Sequence, residues 1–208
     1  MNNKVWLIVR PHYSPLNVME SVGICGSGFF INNYIFISCF HVLNESSFIP
    51  NASYVNKNIF LINSEGKKLE ITKNNIYKSI PEIDVIFIKI EQSQEFFETE
   101  ESYSESDEIK NIGYPVKNGN EILEGFLIKK QFEMTGKILK IYNNYSMNAN
   151  DVKIFNKKVI ILSYSSESGF SGGPLLKGNK VIGIMSHLYP QNGNTVAIPI
   201  KEIKVFLD

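Results

Sequence analysis

A serine flanked by glycines is the residue of this sequence best suited to nucleophilic chemistry. Residues 167–176 read ESGFSGGPLL and place Ser171 between Gly169 and Gly172. Glycines around a serine permit a tight turn that exposes the hydroxyl and directs backbone N–H groups inward. Acyl transfer needs such a nucleophile together with amide donors for the oxyanion of its transition state. The alternative is a glycine-rich loop with an incidental serine; no parallel α/β pattern indicates an α/β-hydrolase elbow.

A serine nucleophile needs a general base, and the sequence offers His12, His41 and His187. His41 ends the apolar run YIFISCF at 34–40, so a strand end would hold its imidazole rigidly at the entry to a loop. No pattern surrounds His12, and His187 follows the end of a predicted strand. His41 is therefore the candidate base, and a structural histidine is the alternative.

The acid that would orient this histidine is Asp84, which directly precedes the apolar run VIFIKI at 85–90. A carboxylate there can accept the imidazole N–H, fix the tautomer and stabilise the imidazolium. Glu82, two residues earlier, is the competing acid. A turn residue at the start of a strand is the structural alternative for Asp84.

The elements that must position these residues read as short β-strands. Their Val, Ile, Phe and Tyr content favours strands, and clusters of turn-forming residues separate them. The candidates are a hairpin at 28–37 and strands at 59–62, 85–90, 122–128, 136–142, 158–163, 181–185 and 195–197. Many short strands predict an all-β barrel or sandwich, with one short helix after Pro199. The acidic, serine-rich stretch 91–108 predicts a solvated surface linker, or alternatively an acidic docking surface.

The order and setting of His41, Asp84 and Ser171 resemble those of the trypsin/chymotrypsin-like serine peptidases. The similarity is greatest to the bacterial single-chain branch of the high-temperature-requirement type. Four more segments carry the resemblance in the same order: GSGFFI at 26–31, NIGYP at 111–115, VIGI at 181–184 and VAIPI at 196–200. No segment resembling a PDZ domain follows them, so we do not expect the behaviour of a multimeric chaperone-protease.

This resemblance implies a single peptidase domain, 1–208, built from two antiparallel β-barrels. The first barrel is expected at 1–92, the acidic linker at 93–107, the second barrel at 108–199 and a C-terminal helix at 200–208. The implied activity is that of a serine endopeptidase, which hydrolyses a polypeptide substrate through an acyl-enzyme. Ser171 would attack, His41 would transfer the proton and Asp84 would orient His41. The amides of Gly169 and Ser171 would form the oxyanion hole, with no metal or other cofactor.

The resemblance also assigns substrate binding to Ser165, Met185, Ser186 and His187. Ser165 stands where trypsin-like enzymes carry an acid, and Met185 stands where glutamyl and picornaviral peptidases carry a histidine. We therefore expect a neutral, partly apolar primary specificity pocket. Ser186 resembles the serine that supports the triad aspartate, and His187 would reach the pocket rim.

Phe170 departs from the family pattern in the residue before the nucleophile. Zymogen-type relatives have an aspartate there, which pairs with a newly formed N-terminal ammonium group. An aromatic ring has no charge for that ammonium, so we expect Phe170 to order the loop by packing. The active site is then expected to form without N-terminal trimming.

Three alternatives to a constitutively active peptidase remain open from the sequence. The chain can be a catalytically silent, peptidase-like binding module, or an esterase-type acyl hydrolase. It can also be an enzyme that stays silent until a regulatory protein partner remodels its cleft. The last alternative leads to the hypothesis of an effector protease in bacterial defence, for which the residues themselves give no argument.

Composition argues against several other functions. Basic and acidic residues balance at 21 each, and Arg10 is the only arginine, so we expect no nucleic-acid partner. No apolar run approaches the roughly 20 residues that span a bilayer. The N-terminal apolar run is too short for a signal peptide, so we expect a cytoplasmic protein with no membrane partner. Cys25 and Cys39 are expected to be free thiols.

Overall fold

The computed structural model describes residues 2–13, 19–43, 59–116, 120–123, 126–149 and 152–207. These residues form β-strands joined by turns, with one short α-helix, which confirms the predicted all-β class. The first seven strands are β1 (Val5–Tyr13), β2 (Met19–Phe30), β3 (Ile35–Cys39), β4 (Ile59–Asn63), β5 (Lys68–Ile71), β6 (Ile76–Ile80) and β7 (Val85–Lys89). The other eight are β8 (Glu108–Gly113), β9 (Asn120–Leu123), β10 (Phe126–Lys129), β11 (Phe132–Ala149), β12 (Val152–Leu162), β13 (Pro174–Lys177), β14 (Lys180–Leu188) and β15 (Thr195–Pro199).

Strands β1 to β7 form one antiparallel sheet in the order β5-β4-β1-β2-β3-β7-β6. The apolar run VWLIV at 5–9 lies in β1, near the middle of this sheet, and all five side chains are buried. β3 pairs with β7 so that Cys39 lies opposite Val85. The end of β3 and the start of β7 therefore lie side by side at the same end of the sheet.

Strands β8 and β11 to β15 form a closed antiparallel barrel in the order β11-β12-β15-β14-β13-β8. Closure of a sheet removes its free edges and encloses an apolar interior. The interior here is filled by Ile109, Ile138, Ile160, Leu162, Leu175, Ile182, Met185 and Ala197. The second barrel is thus a packed core with no room for a channel.

Two elements differ from the sequence expectation. In place of one strand at 122–128, the described residues form the antiparallel pair β9 and β10, with Leu123 opposite Phe126. The helix expected over 200–208 is confined to α1 (Ile200–Lys204). The amides of Phe206 and Leu207 donate hydrogen bonds to carbonyls three residues earlier. Turns of the 3₁₀ type, which are tighter than those of an α-helix, therefore follow α1. Among the described residues, no helix is long and apolar enough to cross a membrane.

The acidic stretch between β7 and β8 is anchored to both β units although most of its side chains are exposed. Phe97 is buried against Phe29, and its amide donates to the Phe30 carbonyl at 3.1 Å. Further along, the Glu100 amide donates to the Val181 carbonyl in β14 at 2.8 Å. These contacts tie the sheet and the barrel together across the segment that separates them in sequence.

Candidate active site

His41 and Asp84 contact each other at the end of the sheet where β3 ends and β7 begins. The His41 Nδ1 atom lies 2.8 Å from one carboxylate oxygen of Asp84 and 3.0 Å from the other. The His41 backbone amide also donates to this carboxylate, at 3.0 Å. Asp84 is 1% exposed whereas Glu82 is exposed, so the structure selects Asp84 as the acid that contacts the histidine.

The backbone of Asp84 adopts an unusual conformation that fixes its carboxylate. Its φ is +54°, in the left-handed region where aspartate is one of the few tolerated non-glycine residues. The Asp84 amide donates to the Pro81 carbonyl, and the Asp84 carbonyl accepts the Phe40 amide, both at 3.1 Å. Backbone strain held by such bonds is characteristic of functional sites.

Ser171 lies in the loop between β12 and β13, which contacts both β units. Its carbonyl accepts the Ser27 amide of β2 at 2.8 Å, and the next amide, Gly172, donates to the Met185 carbonyl of β14 at 2.8 Å. A Cβ atom at Gly26 would lie 2.8 Å from the Ser171 carbonyl oxygen. The glycine at 26 therefore allows β2 to approach the loop that carries the serine.

The Ser171 hydroxyl is hydrogen-bonded to Ser186, which also forms a hydrogen bond with Asp84. It donates to the Ser186 carbonyl at 3.0 Å, while the Ser186 hydroxyl donates to Asp84 at 2.5 Å. Among the described hydrogen bonds, none joins the Ser171 hydroxyl to His41. Catalytic hydrogen bonds often form only in the substrate complex, and for one to form here the Ser171 hydroxyl must exchange the Ser186 carbonyl for His41.

Residues 167–170 form a tight turn with a fixed peptide orientation. The Phe170 amide donates to the Glu167 carbonyl at 3.3 Å, and Gly169 has a φ of +102°, as a type II turn requires. The Ser168 carbonyl accepts the Val116 amide at 2.8 Å. Because the N–H and C=O of a trans peptide point in opposite directions, the Gly169 N–H is held away from Val116.

Among the described residues, the two amides predicted to form an oxyanion hole have no hydrogen-bond acceptor. Neither the Gly169 N–H nor the Ser171 N–H donates to a described residue. The Phe170 carbonyl accepts the Gly173 amide at 2.9 Å, which directs the Ser171 N–H away from that contact. Fixed, unpaired donors of this kind can bind an anionic oxygen without further reorganisation.

Sequence reasoning missed Ser27, which buttresses this turn from β2. Its buried hydroxyl donates to the Gly169 carbonyl at 2.6 Å and accepts the Tyr114 amide at 3.1 Å. A Cβ atom at Gly169 would overlap the Tyr114 carbonyl oxygen, so only glycine fits against this support. The sequence signal was a small polar residue between the two glycines of GSGFFI at 26–31.

Phe170 packs as expected from its apolar character. The side chain is 2% exposed, and a Cβ atom at Gly113 would lie 2.6 Å from its ring. The absence of a side chain at Gly113 thus makes room for the ring against β8. This contact anchors the residue that precedes Ser171.

The residues predicted to bind substrate occupy different environments. Ser165 is exposed, whereas Met185 is 1% exposed and packs in the second-barrel core. Ser186 is buried beside Asp84, as described above. His187 is partly buried, with Nδ1 at 2.9 Å from the Ser186 hydroxyl and Nε2 at 3.0 Å from the Tyr145 hydroxyl. The structure thus connects Ser186 and His187 to the acid, and leaves Ser165 at the surface.

His187 is held in its neutral form. Burial lowers its pKa to about 4, the charge of His41 contributes in the same direction, and Asp84 opposes both effects. A neutral imidazole donates one hydrogen bond and accepts another. Tyr145, a partner of this ring, gave no signal in the sequence.

The ligand atoms of Cys39, His41 and Asp84 lie within 4.8 Å of one another, which raises the question of a metal site. The Cys39 thiol donates to the Met185 carbonyl at 2.9 Å, and burial, reinforced by Asp84, raises the pKa of this thiol well above its usual range. A cysteine binds metal as a thiolate. In this arrangement Cys39 is a protonated hydrogen-bond donor, and His41 and Asp84 are paired with each other. Cys25 and Cys39 are both free thiols, as predicted.

The sequence from 26 to 184 matches the family model of the trypsin-like peptidase domain. This match spans most of the chain and includes His41, Asp84 and Ser171. The chain therefore belongs to the trypsin-like peptidase domain family. No curated protein is significantly similar to it in sequence.

Solved protease structures share this fold along nearly the whole chain. The active form of the Rv3671c protease from M. tuberculosis is 16% identical, with a TM-score of 0.69, and the match covers 99% of this chain and 80% of that one. The HtrA-type protease AlgW with decapeptide is 16% identical, with a TM-score of 0.70 and coverage of 99% and 63%. The MamO protease domain from Magnetospirillum magneticum is 13% identical, with a TM-score of 0.69 and coverage of 99% and 96%. At these identities the similarity concerns the fold.

Proposed function

We propose that this protein is a serine endopeptidase that hydrolyses peptide bonds of a polypeptide substrate through an acyl-enzyme. Family membership supports a peptidase, and the site geometry supports the serine mechanism. The observation that carries the proposal is that Ser186 contacts both Asp84, which binds His41, and the Ser171 hydroxyl. Asp84 binds His41 Nδ1 at 2.8 Å and the Ser186 hydroxyl at 2.5 Å, while the Ser186 carbonyl holds the Ser171 hydroxyl at 3.0 Å.

The first chemical step is attack of Ser171 Oγ on the carbonyl carbon of the scissile bond. His41 Nε2 takes the hydroxyl proton, and Asp84 stabilises the imidazolium that results. The oxyanion of the tetrahedral intermediate accepts hydrogen bonds from the Gly169 and Ser171 amides. His41 then protonates the leaving amine, and the acyl-enzyme forms. Water repeats the sequence on the ester and releases the second product.

The specificity proposal is a preference for small or medium apolar residues before the scissile bond. Neither Ser165 nor Met185 carries a charge or an imidazole that would select a charged side chain. Met185 is packed in the barrel interior, where its side chain is apolar and uncharged. A cleavage profile dominated by Lys, Arg, Glu or Asp at this position would contradict the proposal.

A second candidate is the same enzyme held silent until a regulatory protein partner acts on the cleft. One observation favours it, namely that the Ser171 hydroxyl is bonded to Ser186 and not to His41. The hydroxyl must then change its hydrogen-bond partner before catalysis. An enzyme silenced in this way reacts slowly with a fluorophosphonate until its partner is added, whereas a constitutive enzyme reacts at once.

The test combines covalent labelling with a search for cleavage sites. The wild type and Ser171→Ala are treated with a fluorophosphonate probe and with a diverse peptide library, and adducts and products are identified by mass spectrometry. We expect one adduct on Ser171 and cleavage by the wild type alone. Ser64→Ala, in the turn after β4, is the matched control and should behave as wild type. Cleavage by Ser171→Ala would exclude the proposed mechanism.

A further inference from the structure

We propose that His187, held in one tautomer by Tyr145, is a positioning residue that keeps the Ser186 hydroxyl directed at Asp84. The inference rests on the proposed function, because the orientation of Asp84 affects turnover only where His41 acts as the general base. It assigns His187 a role in addition to the pocket rim expected from the sequence.

An irregularity in β14 brings the side chains of the neighbouring residues Ser186 and His187 into contact. Successive side chains of a regular strand point to opposite faces of the sheet. Ser186 Oγ and His187 Nδ1 nevertheless lie 2.9 Å apart. The pairing of β14 with β15 shifts register between Met185 and His187, and a bulge of this kind redirects side chains beside active sites.

A second irregularity brings Tyr145 to the same place. Tyr145 lies in β11 between two register shifts in its pairing with β12. In β12, Asn156 has a φ of +51°, and its amide donates to Ser146 at 2.8 Å, which stabilises this distorted part of the hairpin. The Tyr145 side chain is 8% exposed, and its ring stacks on His187 with centroids 5.8 Å apart.

The series of hydrogen bonds from Tyr145 through His187 and Ser186 ends at Asp84, and the charge of Asp84 determines where each proton lies. An ionised Asp84 only accepts hydrogen bonds, so the one hydroxyl proton of Ser186 lies between Ser186 and Asp84. Ser186 Oγ must then accept a hydrogen bond from His187, which places the imidazole proton on Nδ1. Nε2 is consequently an acceptor, and it receives the Tyr145 hydroxyl proton at 3.0 Å.

The charge states of the neighbouring groups agree with this assignment. Among the described residues, the titratable groups facing His187 are Asp84 and His41 on the triad side and Tyr145 on the hairpin side, with Tyr189 behind Tyr145. Burial raises the pKa of Tyr145 to about 12, and Tyr189 adds to the rise, so the hydroxyl keeps its proton near neutral pH. Its other contact, Met147 Sδ at 3.3 Å, is a weaker acceptor than an imidazole nitrogen.

Without Tyr145, the imidazole proton is free to move to Nε2. Nδ1 then becomes an acceptor and competes with Asp84 for the Ser186 hydroxyl proton. Each time that proton turns to His187, Asp84 loses the hydrogen bond that fixes its carboxylate. The hydrogen bond from His187 to Ser186, which prevents this turn, joins two neutral groups, and its loss corresponds to about a threefold to tenfold change in rate.

Nitrogen NMR of histidine-labelled protein reads the tautomer directly, without any need for activity. The chain has three histidines, so His187→Asn assigns the His187 signals by their loss. We expect a protonated Nδ1 and an unprotonated Nε2 for His187 in the wild type. In Tyr145→Phe, which keeps the ring and removes the hydroxyl, part of the signal should move to the opposite tautomer. An Nε2–H tautomer in the wild type would overturn the inference.

Kinetics of two His187 variants then separate positioning from packing. His187→Phe keeps a ring that can stack on Tyr145 but has no N–H donor, so kcat should fall about threefold to tenfold at unchanged KM. His187→Asn loses the ring but places an amide N–H at the position of Nδ1, so its kcat should recover to within about twofold of the wild type. A role in packing alone predicts the reverse order, with His187→Asn the more damaged variant.

The outcomes distinguish this inference from the proposed function. If the wild type neither cleaves peptides nor reacts with a fluorophosphonate, the proposed function fails, and the NMR tautomer still decides whether Tyr145 orients His187. If the wild type is active and His187→Phe keeps the wild-type kcat, the positioning role is excluded. A rise in KM alone would assign His187 to substrate binding and would likewise exclude the positioning role.

Discussion

The pair formed by His41 and Asp84 and the loop that carries Ser171 reach their positions by different means. His41 and Asp84 both belong to the first sheet and meet because β3 and β7 are adjacent strands in register. Ser171 belongs to a loop of the second barrel, and its position depends on Gly169, whose φ of +102° only glycine adopts without strain. Strand pairing brings His41 and Asp84 together, whereas the position of Ser171 depends on the conformation of its turn.

This difference determines how each half should respond to substitution. A side chain held at the end of a strand can be replaced by one of similar shape without movement of the backbone. A loop that depends on a positive φ and on close backbone contacts cannot accept even one extra carbon atom. Variants of the pair should therefore lose chemistry and keep stability, whereas variants of the loop should lose both.

The largest effect is expected for Asp84→Asn. The amide keeps the shape of the carboxylate but presents an N–H to His41 Nδ1, which stabilises the wrong imidazole tautomer. The kcat should fall about 10⁴-fold, with a thermal midpoint close to that of the wild type. Glu82→Gln removes the same charge from an exposed position two residues earlier and should leave kcat unchanged. Retention of a tenth of the activity by Asp84→Asn would contradict the role given to Asp84.

Gly169→Ala should cost less activity than Asp84→Asn but more stability. Its Cβ atom would overlap the Tyr114 carbonyl oxygen, so the turn must move and its amide leaves the oxyanion position. Loss of one such donor lowers kcat about 10²- to 10³-fold. Gly178→Ala is the control, because Gly178 has a φ of +59° with nothing within 4 Å of an added Cβ. Equal activity of the two variants would show that the turn does not depend on this contact.

Phe170→Ala tests whether packing orders the loop. Loss of a buried aromatic ring should lower the free energy of unfolding by about 3–5 kcal/mol, and a shift of the amides by about 1 Å can lower kcat about a hundredfold. The measurements are denaturant unfolding and single-turnover kinetics. Phe96→Ala, at a position that is 37% exposed, should change neither quantity appreciably. Normal turnover in Phe170→Ala would show that the loop is ordered by other contacts.

Ser27→Ala tests the junction between the two halves. The substitution leaves the Gly169 carbonyl and the Tyr114 amide without their buried partner, at a cost of about 1–3 kcal/mol for each group. We expect kcat to fall about tenfold as the turn loosens. Ser38→Ala removes another buried serine, whose hydroxyl donates to the Ser27 carbonyl at 2.8 Å, and should lower stability more than turnover. An equal loss of turnover in both variants would contradict a specific role for Ser27.

The last prediction concerns the pH dependence of stability, which His187 should alter and which involves no catalysis. The pKa of His187 is about 4 in the folded protein and about 6.5 when unfolded, so the unfolded chain binds more protons between these values. The free energy of unfolding should therefore carry the full contribution of His187 above pH 6.5 and lose it as the pH falls towards 4. His187→Phe should remove this part of the slope. The measurement is urea unfolding of both proteins at pH 7.5 and 5. An equal change in the free energy of unfolding between the two pH values for the wild type and His187→Phe would contradict the prediction.

The sequence by itself determined the features that depend on local pattern. Short runs of branched and aromatic residues predicted most strands, and the glycines around Ser171 predicted a turn that exposes a serine. Asp84 was preferred over Glu82 because it directly precedes an apolar run, and the structure places Asp84 against His41. These signals lie within a few residues of one another, where backbone sterics and side-chain type dominate.

Tertiary structure alone decided the contacts that depend on strand register. Ser27 reaches Gly169, and Tyr145 reaches His187, across strands that are far apart in sequence. A shift of one residue reverses the face on which a side chain lies, so the bulges beside Ser186 and Tyr145 decide which groups meet. No local pattern encodes such bulges, because they arise from the packing of whole strands. The order of the residues thus predicted a peptidase, and the register of the strands brought Ser27 to Gly169 and Tyr145 to His187.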